Sequence, residues 1–233
     1  MKIIGSGFLA SAFLEKSYSN NFILFASGVS NSQEIRVEEF EREITLLKQE
    51  LSSSLSLVYL STCSLEDPSL SEVPYFKHKR HAEELVLEGK KNIVVRLPQV
   101  VGFLKNKKTL TNFPAWKIYL KQRFILYKGA FRNLVDIEDV KDLVELALPH
   151  SEKLSLISLA LPHSTEVSII VKLLEETIGH SGLYEEKEVS PPYKYKESKF
   201  LQEMLGIENK FYSKEYFRNT ILKYYEKFPE SFI

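Results

Sequence analysis

Cysteine is nearly absent: the chain of 233 residues has one, Cys63. A single thiol forms no internal disulfide, which excludes a disulfide-stapled secreted scaffold and fits the reducing cytoplasm. An excess of one charge is absent too, with Lys plus Arg and Asp plus Glu both at 31. That balance removes the electrostatic ground for binding nucleic acid or an anionic membrane surface. No apolar run approaches the ~20 residues that span a bilayer. Residues 1–10 lack the basic start and long apolar stretch of a signal peptide. There is no internal repeat and no low-complexity tract. What is present is 44% hydrophobic residues, enough for the core of one domain with a small appended lobe.

The first half alternates short apolar runs with helical patterns, the signature of a parallel sheet covered by helices. Lys2-Ile3-Ile4 reads as a strand, followed by a glycine turn and a helix over 8–18. Phe22-Ile23-Leu24-Phe25-Ala26 reads as a buried strand that ends in a turn-rich stretch from Ser27 to Ser32. A helix over 37–52 follows, with Phe40, Ile44, Leu47 and Leu51 on one face. Leu57-Val58-Tyr59-Leu60-Ser61 is the next strand. A helix over 75–87 has Pro74 in its first turn, and Ile93-Val94-Val95-Arg96-Leu97 is a strand closed by Pro98.

Further on, the spacing predicts a helix over 113–121, strands at 124–127 and 134–135, and a helix over 138–148 that Asp136 can cap. A strand over 154–159 and helices over 166–178 and 214–227 complete the chain, with Pro191-Pro192 in a loop. The expected class is α/β. A Rossmann-like nucleotide-binding core fills 1–160, with 103–130 contributing to a small C-terminal substrate lobe over 161–233.

Two motifs carry chemistry. Gly5-Ser6-Gly7-Phe8-Leu9-Ala10 has the form G-x-G-x-x-A between the first strand and its helix. The first glycine permits a tight turn, and the second lets a pyrophosphate approach the backbone. A small third residue lets helix and strand pack closely, while the helix N-terminus offers free N–H groups. A glycine-rich turn that binds nothing has the same letters.

The second motif is Y-x-x-x-K, Tyr75 to Lys79, at the start of a predicted helix. Residues four apart share a helix face, so a phenol and an ammonium can act on one centre. A nearby cation favours the phenolate and makes tyrosine a usable acid/base. Ser61 and Thr62, ending the preceding strand, are candidate hydroxyl partners. Such a pair also arises by chance in a chain with 12 tyrosines. His78 and His81 flank it without a third ligand at metal spacing, so they read as surface histidines and no metal is expected.

Taken in order, these segments resemble the extended short-chain dehydrogenases/reductases, in particular the sugar-nucleotide epimerases and dehydratases. Gly5 to Ala10 is similar to the family's nucleotide turn. Val58-Tyr59-Leu60-Ser61-Thr62-Cys63 is similar to its catalytic Ser/Thr strand, and Tyr75 and Lys79 match its catalytic pair. Arg96-Leu97-Pro98-Gln99-Val100-Val101-Gly102 resembles the strand end where an Asn contacts the sugar nucleotide; here Gln99 stands in that place. Arg132 leads a segment, Arg132-Asn133-Leu134-Val135-Asp136, that resembles the one whose Arg grips the substrate diphosphate. A guanidinium fork suits phosphate oxygens on independent grounds.

The resemblance covers about the first 150 residues. It implies NAD or NADP as cofactor, contacted by Gly5, Gly7, Phe8, Leu9, Ala26, Ser27, Ser61, Tyr75, Lys79 and Leu97. It implies Thr62, Tyr75 and Lys79 as catalytic residues, and Cys63, Gln99 and Arg132 as contacts to a nucleotide-linked keto sugar. Cys63 and Ser64 stand where sugar dehydratases place carboxylates, which favours reduction or epimerisation over dehydration.

Relatives place three strands between the glycine turn and the Ser/Thr strand, and only Phe22 to Ala26 is found here. Deletion of the second and third strands removes the acidic residue that selects NAD from NADP. It also bares the first strand as a sheet edge. Three outcomes stay open: weak cofactor affinity, a homodimer that rebuilds the pocket, or loss of the cofactor in a non-catalytic nucleotide or nucleotide-sugar binder.

Overall fold

A computed structural model describes residues 1–14, 21–103, 109–189, 193–206 and 208–230. The elements run β1 (Lys2–Ile4), α1 (Phe8–Ser11), β2 (Phe22–Phe25), α2 (Val37–Leu51), β3 (Ser56–Thr62), α3 (Pro74–Leu87) and β4 (Ile93–Leu97). They continue with β5 (Gln99–Val101), α4 (Asn112–Tyr119), β6 (Arg123–Lys128), β7 (Phe131–Asp136), α5 (Ile137–Ala147), β8 (Leu156–Ser158) and β9 (Ser164–Glu166). The last are α6 (Val167–Ile178), β10 (Leu183–Glu188), α7 (Lys199–Met204) and α8 (Tyr216–Tyr225). No described helix is long and apolar enough to cross a membrane.

The chain divides into two compact units: Met1–Leu97 with Glu138–Leu159, and Pro98–Ile137 with Ala160–Ile233. The first is built on a five-stranded sheet of order β1-β2-β3-β4-β8, every neighbouring pair parallel. Strands of such a sheet are covered on both faces and need continuous apolar sequence. Ile23, Leu24 and Phe25 of β2, Leu57, Val58 and Tyr59 of β3, and Ile93, Val94 and Val95 of β4 are accordingly all buried. Leu47 of α2 and Ala82 and Val86 of α3 close over one face, packing on Ile23, Phe25, Tyr59 and Val94.

Among the described residues β1 pairs with β2 alone, so it is the sheet edge expected from the two missing strands. The helix after the glycine turn is shorter than the predicted 8–18: α1 covers Phe8–Ser11 and gives way to a turn, where Phe13 already faces the core. The rest of that predicted helix, and the Pro191-Pro192 loop, lie outside the described residues.

The second unit holds β5, β7 and β9 in one sheet, β7 pairing parallel with β5 and antiparallel with β9. Strands β6 and β10 pair parallel beside it in sequence as a separate two-stranded sheet. Its core gathers Ile118, Leu126, Leu134, Ile170, Leu174, Ile221, Tyr224 and Tyr225.

Candidate active site

In a parallel sheet, ligands bind beyond the carboxyl ends of the strands. The first unit places its motif residues there. Gly5 follows β1 with φ +124°, a conformation that side chains rarely adopt, and a Cβ on it would stand 2.6 Å from the Ala26 carbonyl oxygen. Gly5 is therefore fixed by the approach of β1 to the end of β2, whatever binds. Gly7 is the opposite case: a Cβ there would meet nothing within 4 Å, so packing does not require glycine. Close approach by a ligand is a reason for it that the protein itself does not supply.

Ala26, Ser27 and Gly28 follow β2. Ser61 and Thr62 end β3. The Thr62 hydroxyl oxygen accepts the Ser64 N–H at 3.2 Å and so caps the 3-10 turn after the strand. That bond uses a lone pair and leaves the hydroxyl hydrogen to donate. The Ser61 hydroxyl is buried without a hydrogen-bond partner among the described residues. Buried polar atoms are nearly always paired, so this one is short of a contact among the described residues.

Tyr75 and Lys79 lie one turn apart on α3. Helix formation here follows from Pro74 at its first position and the apolar spacing of Phe76, Ala82 and Val86. The ammonium is not poised over the phenol alone. Lys79 Nζ donates to Glu43 Oε1 and to the Tyr59 hydroxyl, both at 3.0 Å. The Tyr59 hydroxyl donates to the same Oε1 at 2.6 Å. Oε2 of Glu43 accepts the Val29 N–H at 2.6 Å and His78 Nε2–H at 2.8 Å. One carboxylate thus holds four donors.

All the side chains of this knot are buried, Glu43 and Tyr59 fully. Burial by itself would raise the Glu43 pKa. The His78 hydrogen bond, the Lys79 charge and the Tyr59 and Val29 bonds outweigh it and bring the carboxyl to about 2. Lys79 Nζ also lies 5.9 Å from the Tyr75 ring centroid, and a Cβ on Gly28 would stand 2.6 Å from it.

The surroundings of Tyr75 do not lower its pKa. Its ring sits among Val29, Leu65 and Phe76, and burial first and the Glu43 charge second push its phenol above the ordinary tyrosine value. The cation that would favour the phenolate is matched by an anion. His78 is likewise not a surface histidine: it is buried, stacked on Phe40 with centroids 4.6 Å apart, and bound to Glu43.

Sequence reasoning missed Glu43, Tyr59 and His78. The signal for Glu43 was available, since it stands on the stripe of Phe40, Ile44 and Leu47, where a carboxylate needs a buried partner.

Cys63 also faces inward. Its thiol donates to the Arg96 carbonyl at 3.3 Å, and burial pushes it up to about 12. Leu97 ends β4 in the core. Phe8 and Leu9 are half-buried on α1.

Gln99 and Arg132 belong to the second unit. Gln99 of β5 pairs with Leu134 of β7, and Arg132 stands two residues before Leu134. Side chains two apart leave the same face of a strand, so Gln99 and Arg132 share a sheet face. Arg132 Nη1 donates to the Phe131 carbonyl at 2.8 Å.

No family model matches the sequence, and no curated protein sequence does. Solved structures match the fold. A dTDP-glucose 4,6-dehydratase from Bacillus anthracis, in complex with NAD, matches with a TM-score of 0.69 at 16% identity, over 91% of this chain and 74% of that one. UDP-glucose 4-epimerase from Thermus thermophilus, also with NAD, matches with 0.60 at 15% identity, over 78% and 71%. RMD from Pseudomonas aeruginosa, with NADPH, matches with 0.56 at 16% identity, over 72% and 68%. All three hold a nicotinamide cofactor, and identities of this order establish architecture. The chain has the fold of the extended short-chain dehydrogenases/reductases, with β1 at the edge of its sheet among the described residues.

Proposed function

We propose that this protein is an NAD(P)-dependent reductase or epimerase of a nucleotide-linked keto sugar. The observation that carries the reading is the collection, at the carboxyl ends of β1, β2 and β3, of the Gly5–Gly7 elbow, the Ala26–Gly28 turn and the Ser61–Thr62 pair, with Lys79 reaching Gly28. Open space above Gly7 and the unpartnered Ser61 hydroxyl fit a dinucleotide; the commitment of Lys79 to Glu43 does not favour one.

In this reading the backbone at Gly5, Gly7, Phe8 and Leu9 takes the diphosphate. Ala26, Ser27, Ser61 and Leu97 flank the cofactor. A bound nicotinamide supplies or receives a hydride at the sugar carbon. Thr62 donates its hydroxyl hydrogen to the sugar oxygen and orients it. The Tyr75 phenol gives the proton to that oxygen on reduction and takes it back on oxidation. A phenol held high stays protonated at neutral pH, so its proton is there to give. The resemblance assigns Gln99 and Arg132, which share a face of the second unit's sheet, to the nucleotide sugar. A cytoplasmic location, and a homodimer formed over the bare β1 edge, belong to the same proposal.

A second reading, a non-catalytic binder of nucleotides or nucleotide sugars, is favoured by the Glu43–Lys79 pair. Oxidation of reduced nicotinamide, with NADH and NADPH tried in turn against UDP- and dTDP-linked 4-keto sugars, separates the two. Turnover is expected to fall at least ~100-fold in Tyr75→Phe, the scale of a lost general acid. Full turnover by that variant would defeat the assignment of Tyr75. Absence of binding of either cofactor at millimolar concentration would favour the second reading.

A further inference from the structure

We infer that Glu43 is a positioning residue that competes with a dinucleotide for Lys79 and so sets how tightly this chain holds its cofactor. The inference rests on the cofactor site proposed above and concerns a residue that no motif of that site includes.

Lys79 has three N–H donors, and in the resting protein two of them go to Glu43 and Tyr59. Its side chain is 4% exposed and that of Glu43 is 0%. An incoming ligand therefore meets a lysine that is already paired and dry. Its ammonium also stands against Gly28, in the turn that closes the carboxyl end of β2, where a dinucleotide crosses such a sheet. The carboxylate beside it is held by Val29, His78 and Tyr59 as well, so it does not move aside when Lys79 is called away.

A dinucleotide brings a negative diphosphate and ribose hydroxyls that seek the same ammonium. It must take the third N–H of Lys79 or displace Glu43, and in both cases it is brought towards a buried anion. Like charges brought together in a dry site oppose binding. Replacing Glu43 by a neutral isostere therefore strengthens the cofactor complex, whereas loss of a merely structural residue weakens it. The sign of the change separates the two roles.

The test is a fluorescence titration of NADH and of NADPH against wild type, Glu43→Gln, and the double variant Glu43→Gln/Lys79→Met, with circular dichroism as the check on folding. Glu43→Gln is expected to lower Kd about tenfold, the scale of one unfavourable charge contact relieved. The double variant is expected to bind at least about tenfold more weakly than Glu43→Gln, because the gain needs the freed Lys79 ammonium. Unchanged or weaker binding by folded Glu43→Gln overturns the inference.

Should Glu43→Gln fail to fold, Glu43→Ala takes its place, and binding by it no tighter than that of wild type overturns the inference. A wild type that binds and turns over while Glu43→Gln gains nothing sinks the inference and leaves the proposed function standing. A wild type that binds neither cofactor while Glu43→Gln binds one does the reverse. Failure of every folded variant to bind removes both.

Discussion

Each unit buries one carboxylate under a tyrosine and a lysine, and the two knots differ in the water left to them. In the second unit Asp136, at the end of β7, accepts from Tyr224 at 2.5 Å and from Lys223 at 2.7 Å, both on α8. The Asp136 N–H in turn donates to the Tyr216 hydroxyl at 3.0 Å, so the knot ties a strand end to a helix. The Lys223 side chain is 39% exposed there. In the first unit Glu43 draws α2, β3, α3 and the loop at Val29 together, and its lysine is 4% exposed. A half-exposed lysine keeps its hydration and its pair is worth little; a dry one has exchanged water for a single anion and depends on it. The same three kinds of group therefore give a replaceable tether in one place and an indispensable pair in the other.

Truncating each lysine breaks or confirms this contrast most directly. Lys79→Met leaves Glu43 buried without its cation and is expected to cost about 3–5 kcal/mol, whereas Lys223→Met stays within about 1 kcal/mol. Urea unfolding of the two variants measures both, and equal losses would end the distinction. Next in size is the response to acid. The Glu43 carboxyl sits at about 2 against an ordinary value of 4.5, a depressed pKa. The stability it contributes is present above pH ~4.5 and drains away as pH falls from there towards 2. By pH 3 the loss should reach ~2 kcal/mol in wild type. Glu43→Gln/Lys79→Met, lacking the group, should lose that much less over the same range. Parallel pH curves for the two proteins would show that the knot does not carry this stability.

The parallel sheet was legible because β2, β3 and β4 are buried on both faces, and continuous apolar runs such as Phe22 to Phe25 admit few other readings. The glycine elbow, the Ser61–Thr62 strand end and the Tyr75–Lys79 helix were legible because each is a local pattern of residue types. The partners of Lys79 were not. Glu43 lies 36 residues away and Tyr59 lies 20 away, and nothing local in the chain joins them. Their meeting is decided by which helix covers which strand. The same holds for β10, whose Leu-Tyr-Glu-Glu-Lys-Glu is almost wholly exposed and becomes a strand by pairing with β6. Its charged sequence carries no alternation to betray it.

The smallest effect sharpens the comparison furthest, because it leaves both lysines in place. Tyr59→Phe takes one of four donors from Glu43 and one of two acceptors from Lys79, at a buried site. The expected cost is about 2 kcal/mol, the range for a buried charged group that loses a hydrogen bond. Tyr224→Phe also removes a bond to a carboxylate, yet Lys223 stays beside Asp136 and reaches solvent, so about 1 kcal/mol or less is expected. Thermal unfolding resolves the difference, since a protein of this size shifts by roughly 2–4 °C for each kcal/mol. If Tyr224→Phe proves as costly as Tyr59→Phe, hydration of the lysine is not what separates the knots. The indispensability of the first would then come from the number of elements that one carboxylate joins.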